Sequence, residues 1–397
     1  MTSIRFPSSI QDSSATLSQR MQNIVKHAID SHRVVGAVIL VSHRGQLIYQ
    51  TAAGWADKES KRLMNIDTIF RLASVSKPIV SVAAMILVAR GLLDLDKDIR
   101  CWMPEFRPLR QDGSEAIITL RQILSHTAGL GYRFLENDIT GAYALACVSD
   151  GMDTSGITLQ ENLRRITKVP LRYEPGSSWQ YSLATDVLGA LLERILNMPL
   201  DQVIQQFVTE PLAMSNTSFW VNDRKRVATV YVNDEPRPHR LEEGEIVSPF
   251  DGAVGIIYSP DRIFDTQAFP SGGAGMAGTA HDFMVLLETL RQDGGRLLSP
   301  SLIDEMGRDQ TNGLFLPNTP GFGFGLGFSV LRDPQLAASP ESIGTWRWGG
   351  AYGHSWFVDR SHELSVVAFT NTMYEGMSGR FVIDIRDAVY DSVVDSQ

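Results

Sequence analysis

The chain has 397 residues, 43% of them hydrophobic and 20% charged, the proportions of an ordinary globular protein with ample material for a packed core. A formal charge of −9 and only seven lysines argue against the clustered basic surface that nucleic acid requires. No window approaches the roughly 18 apolar residues of a membrane span, and residues 1–20 lack the apolar core of a secretory signal, so a cytoplasmic protein is expected. A first helix is predicted with Ser13 or Ser14 as its cap and Leu17, Met21, Ile24, Val25 and Ile29 at helical spacing. The β-branched run at 34–41, the turn His43-Arg44-Gly45 and the stretch 46–53 predict an antiparallel hairpin. Residues 78–90 predict a helix, apolar on most sides and therefore buried, that ends at Gly91. Helices follow at 183–196, 201–209 and 283–291, and strands at 323–330, 344–348, 354–358 and 364–370. A closing helix spans 380–394. This order suggests an α/β domain built from both termini, 1–91 and 271–397. The remainder, 92–270, reads as an inserted, mainly helical region, with a lid-like loop near 233–262 whose first part carries Pro236, Pro238 and many charges. Cys101 and Cys147 lack metal or redox spacing and are read as buried free thiols.

The chemistry starts at Leu72-Ala73-Ser74-Val75-Ser76-Lys77, a Ser-x-x-Lys at the mouth of the apolar helix. At a helix start, residues three apart share a face. A serine hydroxyl becomes a nucleophile once a neighbouring base accepts its proton, and a desolvated lysine can take or relay it. Free N–H groups and the positive dipole end suit a developing oxyanion. Pro78 fits a first helical turn but makes helical geometry awkward for Lys77 before it, so a tight or 3₁₀-like first turn is expected.

Ser74-Val75-Ser76-Lys77 resembles the first motif of the penicillin-binding and class C β-lactamase-like serine hydrolases. The resemblance runs from about residue 39 to 390. It includes Ser125-His126-Thr127-Ala128-Gly129, Pro175-Gly176-Ser177-Ser178-Trp179-Gln180-Tyr181-Ser182, Glu210-Pro211-Leu212-Ala213-Met214 and Ser271-Gly272-Gly273-Ala274-Gly275. It is nearest to the ester-hydrolysing branch, the family VIII carboxylesterases. It implies an antiparallel sheet flanked by the first and last helices, beside a mainly helical region. It also implies an acyl-enzyme on Ser74 and a small-molecule ester as substrate, with an acyltransferase, a β-lactamase or D-amino-acid peptidase or amidase, and a non-catalytic ligand binder as alternatives. No cofactor is implied, and the eight histidines show no metal spacing. The family's second motif, Tyr-x-Asn, has two candidates. Tyr231-Val232-Asn233 fits the letters, whereas Tyr181-Ser182-Leu183 follows a Pro-Gly turn and leads into an apolar helix. Tyr181 is chosen for that context. A phenol serves as base near neutral pH only where a cation stabilises its phenolate. Lys77 is that cation, and which of the pair takes the Ser74 proton stays open.

The third motif reads Trp348-Gly349-Gly350 in place of Lys-Thr-Gly. By resemblance, the N–H of Ala351 joins that of Ser74 in the oxyanion hole, Trp348 walls the cleft, and the two glycines let substrate approach the strand closely. Trp348 and Leu183 replace the lysine and asparagine that hold a β-lactam, which favours small uncharged esters. Tyr132 is a candidate for the acyl or alcohol pocket. His126 and His354 are read as structural, since no G-x-S-x-G elbow exists to receive a triad. The run Gly321–Gly327 alternates glycine with apolar residues, which marks a strand in close backbone contact.

Overall fold

The computed structural model describes residues 8–250 and 252–394, with side chains from residue 16 onward. Helix α1 (Ser8–Asp30) begins upstream of the expected cap, so Ser13 and Ser14 lie inside it. Strands β1 (Gly36–His43) and β2 (Gln46–Asp57) form the predicted hairpin. Arg44 and Gly45 both take left-handed φ, 54° and 76°, as a two-residue turn of matching twist requires. The short strands β3 (Arg62–Leu63) and β4 (Phe70–Arg71) lead to a 3₁₀ turn, Ala73–Val75, and then to α2 (Ser76–Ala89). That tight turn reconciles Lys77 with Pro78. Every residue of α2 from Ser76 to Leu87 is buried.

The middle of the chain supplies α3 (Leu120–Leu124), α4 (Ala142–Leu145), α5 (Leu159–Thr167), α6 (Ala184–Leu196) and α7 (Leu200–Ile204), the last running into a wider turn over Gln205–Thr209. Two ribbons follow, β5 (Tyr231–Val232) with β6 (His239–Arg240), and β7 (Ile246–Val247) with β8 (Ile256–Ile257). The stretch expected as a loop near 233–262 thus holds three short strands. It is anchored by buried Tyr258, whose hydroxyl meets that of Tyr374 at 2.8 Å. Then come β9 (Ala277–Gly278), which pairs with β4, α8 (Ala280–Arg291) and α9 (Pro300–Gly307). Strands β10 (Phe322–Phe324), β11 (Ser329–Leu331), β12 (Trp346–Gly350), β13 (His354–Asp359) and β14 (Leu364–Thr370) precede α10 (Glu375–Ser378) and α11 (Arg380–Val389).

The single strand expected at 323–330 is a hairpin, β10 and β11. The turn between them is fixed by outside partners: Leu326 donates to the Met306 carbonyl, and Gly327, at φ 107°, donates to that of Leu124. The cysteines also differ from expectation. Both are free, but both are exposed, on surface turns that bury neither thiol.

Eight strands form one antiparallel sheet in the order β10-β11-β12-β13-β14-β1-β2-β3. Ala37, Ile39 and Val41 of β1 pack with Leu17 and Met21 of α1 and Phe381 and Ile385 of α11. Val38 and Leu40, on the opposite face, join the core around α2, α6 and α8. Burial on both faces explains why β1 and β14 read as continuous apolar runs rather than alternating ones. Each fully buried aliphatic or aromatic side chain contributes about 1.5–3 kcal/mol. No helix among the described residues is long and apolar enough to cross a membrane.

Candidate active site

Ser74 sits in the 3₁₀ turn before α2, half-buried between wholly buried neighbours. The turn enters through Ala73, which takes a left-handed φ of 46°. A non-glycine residue there costs about 1–3 kcal/mol, and the cost persists only where packing over-determines the backbone. The packing is visible on both sides. Leu72 donates to the Met276 carbonyl at 2.8 Å beside the β4–β9 pair, and β12 presses against Leu72 from the other side, where Gly350 meets its carbonyl.

Three polar groups converge. The Tyr181 hydroxyl lies 2.5 Å from Ser74 Oγ, as its donor in this arrangement. Lys77 Nζ donates to Ser74 Oγ at 3.3 Å, to Tyr132 Oη at 3.1 Å and to the Gly273 carbonyl at 2.8 Å. Lys77 is fully buried, and its ammonium also lies 4.6 Å from the centre of the Tyr181 ring, a cation–π distance. The backbone N–H groups of Ser74 and Ala351 find no acceptor among the described residues. Tyr181 itself is wedged in place. His126 meets its ring edge-on at 5.0 Å, Trp348 lies 5.3 Å away and Tyr132 5.1 Å. His126 is buried, with Nδ1 3.0 Å from Ser182 Oγ. Burial, reinforced by the Lys77 charge, holds its pKa well below the usual imidazole range, so it stands as a neutral support. His354 is likewise buried and bonded to the Arg71 carbonyl, with its pKa lowered by burial to about 4.

Several expectations change in detail. Tyr132 is only 3% exposed and its hydroxyl is committed to Lys77, so it braces the lysine instead of lining a pocket. Burial first, then Tyr181 and the carboxyls of Asp186 and Asp150, push its pKa well above the usual phenol value. Leu183 is wholly buried in the core at the start of α6 and offers no surface to a ligand. Gly349 and Gly350 make room for protein: a Cβ at Gly349 would lie 2.7 Å from the His354 carbonyl oxygen, and one at Gly350 2.4 Å from that of Leu72. Trp348 is partly exposed and stands between Tyr181 and Phe324. Tyr231 is elsewhere, its hydroxyl held by Glu59 and the Lys58 N–H.

Asp186 is a member of the site that sequence reasoning misses. It is buried in the first turn of α6, and its Oδ1 accepts from Ser271 Oγ at 2.6 Å while Oδ2 has no partner. Burial raises its pKa, opposed by the Ser271 hydroxyl and the Lys77 charge. A Cβ on Gly273 would stand 2.6 Å from Asp186 Oδ2 and 3.4 Å from Lys77 Nζ. Only glycine therefore lets the Ser271–Gly275 segment reach the lysine. The one visible signal is that Ser-Gly-Gly-Ala-Gly run. Among the described residues, no group of three or more His, Cys, Asp or Glu could hold a metal ion.

The family model described as Beta-lactamase matches residues 21–389. The chain is 45% identical to Esterase EstB of Burkholderia gladioli over 97% of its own length and 98% of the esterase's. It is 27% identical to Lovastatin esterase of Penicillium rubens over 87% of this chain and 90% of that one. Among solved structures, EstCE1, a hydrolase with promiscuous acyltransferase activity, superimposes with a TM-score of 0.91 at 44% identity, covering 95% of this chain and 99% of that one.

Proposed function

The chain belongs to the Beta-lactamase family, and from that premise we propose that it is a serine carboxylesterase acting on small uncharged esters through an acyl-enzyme on Ser74. The observation that carries the reading is the convergence on Ser74 Oγ of Tyr181 Oη at 2.5 Å and Lys77 Nζ at 3.3 Å. In the proposed reaction Ser74 Oγ attacks the ester carbonyl carbon as its proton passes to the Tyr181–Lys77 pair. The N–H groups of Ser74 and Ala351 hold the oxyanion. Collapse breaks the bond to the alcohol oxygen, which leaves with the proton held by the pair. A water, giving its proton to the same pair, then attacks the acyl carbon, and the acid leaves as the pair returns that proton to Ser74 Oγ. EstB and the lovastatin enzyme are esterases by name, which supports the ester over other acyl substrates. Trp348 gives the mouth of the site an aromatic wall where a β-lactamase would place a lysine, and the buried Leu183 supplies no polar contact in place of an asparagine. A hydrogen bond to a charged group contributes roughly 1.5–3 kcal/mol and a neutral one about 1, so a β-lactam forfeits on the order of 10²-fold or more in productive binding.

The test pairs a label with a comparison of substrates. A fluorophosphonate should add one group per chain, found on the Ser74 peptide, and kcat/KM for p-nitrophenyl butyrate should exceed that for a chromogenic cephalosporin by at least about 10²-fold. Labelling of another serine, or ring opening at a comparable rate, sinks the reading. The promiscuous acyltransferase activity of EstCE1 favours a second outcome for the same intermediate, capture of the acyl group by an alcohol. Added alcohol would then divert product from acid to a new ester.

A further inference from the structure

Away from Ser74, a cavity of about 360 Å3 opens where β3, β4 and β6 meet the turn at Arg224–Arg226. That is within the range of small-molecule sites, about 300–1,000 Å3. In a chain of net charge −9, five cations line it: Arg62, Arg71, Arg224, Lys225 and Arg240. Two carboxylates face them, and both are engaged. Asp261 pairs with Arg224 at 3.2 Å. Asp57 accepts from the Ser60 N–H at 2.7 Å and from Thr229 Oγ1 at 2.9 Å. Arg62, Arg71, Lys225 and Arg240 have no carboxylate within 4 Å among the described residues.

Arg71 is the informative member. It is 7% exposed, and a buried cation whose supporting carboxylates, Asp261 and Glu243, act only from beyond ion-pair range is costly. Its Nε donates to the Pro260 carbonyl and its Nη1 to that of Ala228, both at 2.7 Å. No such bond holds Nη2 among the described residues. Arg62 is held the same way, by a carbonyl, that of Val227 at 2.6 Å. Two guanidinium groups are thus fixed by neutral acceptors, as preformed donors are. The rest of the lining includes Val227 and Leu241, apolar surface for an organic body, and the Phe264 ring, whose face already carries the Arg224 guanidinium at 3.8 Å.

We propose that this cavity binds a small organic oxyanion, a carboxylate or a phosphate monoester, anchored by Arg62, Arg71 and Arg240. The guanidinium fork suits either head group, because both present paired oxygens. The inference stands apart from the ester chemistry at Ser74.

The test is calorimetric titration of the intact chain with benzoate and, separately, with phenyl phosphate. One ligand should bind per chain, and the tighter of the two names the head group. Arg240 is exposed and Arg62 is half-buried, so Arg62→Gln and Arg240→Gln should fold with unchanged melting temperature. Each should weaken binding about tenfold to a hundredfold. Arg360→Gln, at an arginine paired with Asp293 and Asp304, should leave affinity unchanged. Absence of saturable binding by both ligands at millimolar concentration, or affinity indifferent to both Arg62→Gln and Arg240→Gln, overturns the proposal.

Discussion

Lys77 is wholly buried without a carboxylate in ion-pair range among the described residues, so neutral oxygens satisfy its three donors: Ser74, Tyr132 and Gly273. That arrangement ties the lysine and Tyr181 to one hydroxyl, and it predicts how they fail. Lys77→Met and Tyr181→Phe should each cut kcat by about 10²–10⁴-fold. The double variant should be little worse than either, because residues acting as a unit lose activity non-additively. Tyr231→Phe should leave the rate of ester hydrolysis intact, since its hydroxyl serves Glu59 and the Lys58 backbone. Steady-state kinetics on the four variants decides it, and a crippled Tyr231→Phe would reverse the choice of tyrosine. Ser74 and Lys77 are legible in the sequence because three-residue spacing at a helix start forces them together, and Tyr181 because a Pro-Gly turn and an apolar helix flank it. Asp186 is not legible. An acid in a first helical turn reads as a solvated side chain favouring the dipole, and nothing local reveals that Ser271 comes to meet it. Burial misleads in the same way at Leu183 and Tyr132, whose surroundings arrive from distant segments.

Strand β12 is the element that holds the Ser74 turn in position. Gly350 lies against the Leu72 carbonyl, with Val75 and His354 close by, so strand and turn move as one piece. A Gly350→Val chain should lose activity and stability in parallel, with a loss of about 1–3 kcal/mol typical of overpacking. Thermal melts beside kcat/KM check this, and full stability with lost activity would return the glycine to a purely substrate-facing role. The same scale explains what pattern reading catches. β1, β14 and α2 are long and apolar, so their period and composition announce them. β4 and β9 are two residues each and exist only because Phe70 meets Gly278 and Arg71 meets Ala277, a pairing no local pattern encodes. The β10–β11 hairpin reads as one strand in the sequence because its turn is imposed by Met306 and Leu124, which lie outside it.

Stability of the whole molecule should depend on pH through Asp150, which is buried among Arg133, Asp153 and Asp186. Burial pushes its carboxyl up to about 7, against the opposing pull of the Arg133 guanidinium. Between about pH 4 and 7 the folded chain keeps this proton while the unfolded chain has lost it. The stability it contributes is therefore fully present near pH 4 and lost as pH rises through 7, up to about 4 kcal/mol in all. Asp150→Asn, neutral throughout, should gain several degrees in Tm over the parent at pH 8 and much less at pH 5. An equal offset at both would sink the assignment. The sheet carries a different consequence, in time rather than energy. Its seam joins β1 to β14, with Ala37 opposite Thr370 and His43 opposite Leu364, so the two partners lie more than 300 residues apart along the chain. Until the residues up to β14 are made, that edge of β1 is open, the condition that invites wrong partners. Closing that seam is a long-range and therefore slow event. The proposed catalytic groups are drawn from the span between these strands, from Ser74 to Ala351, so a refolding chain is predicted to stay silent toward esters until β14 joins β1, the onset of turnover marking the closure of that seam.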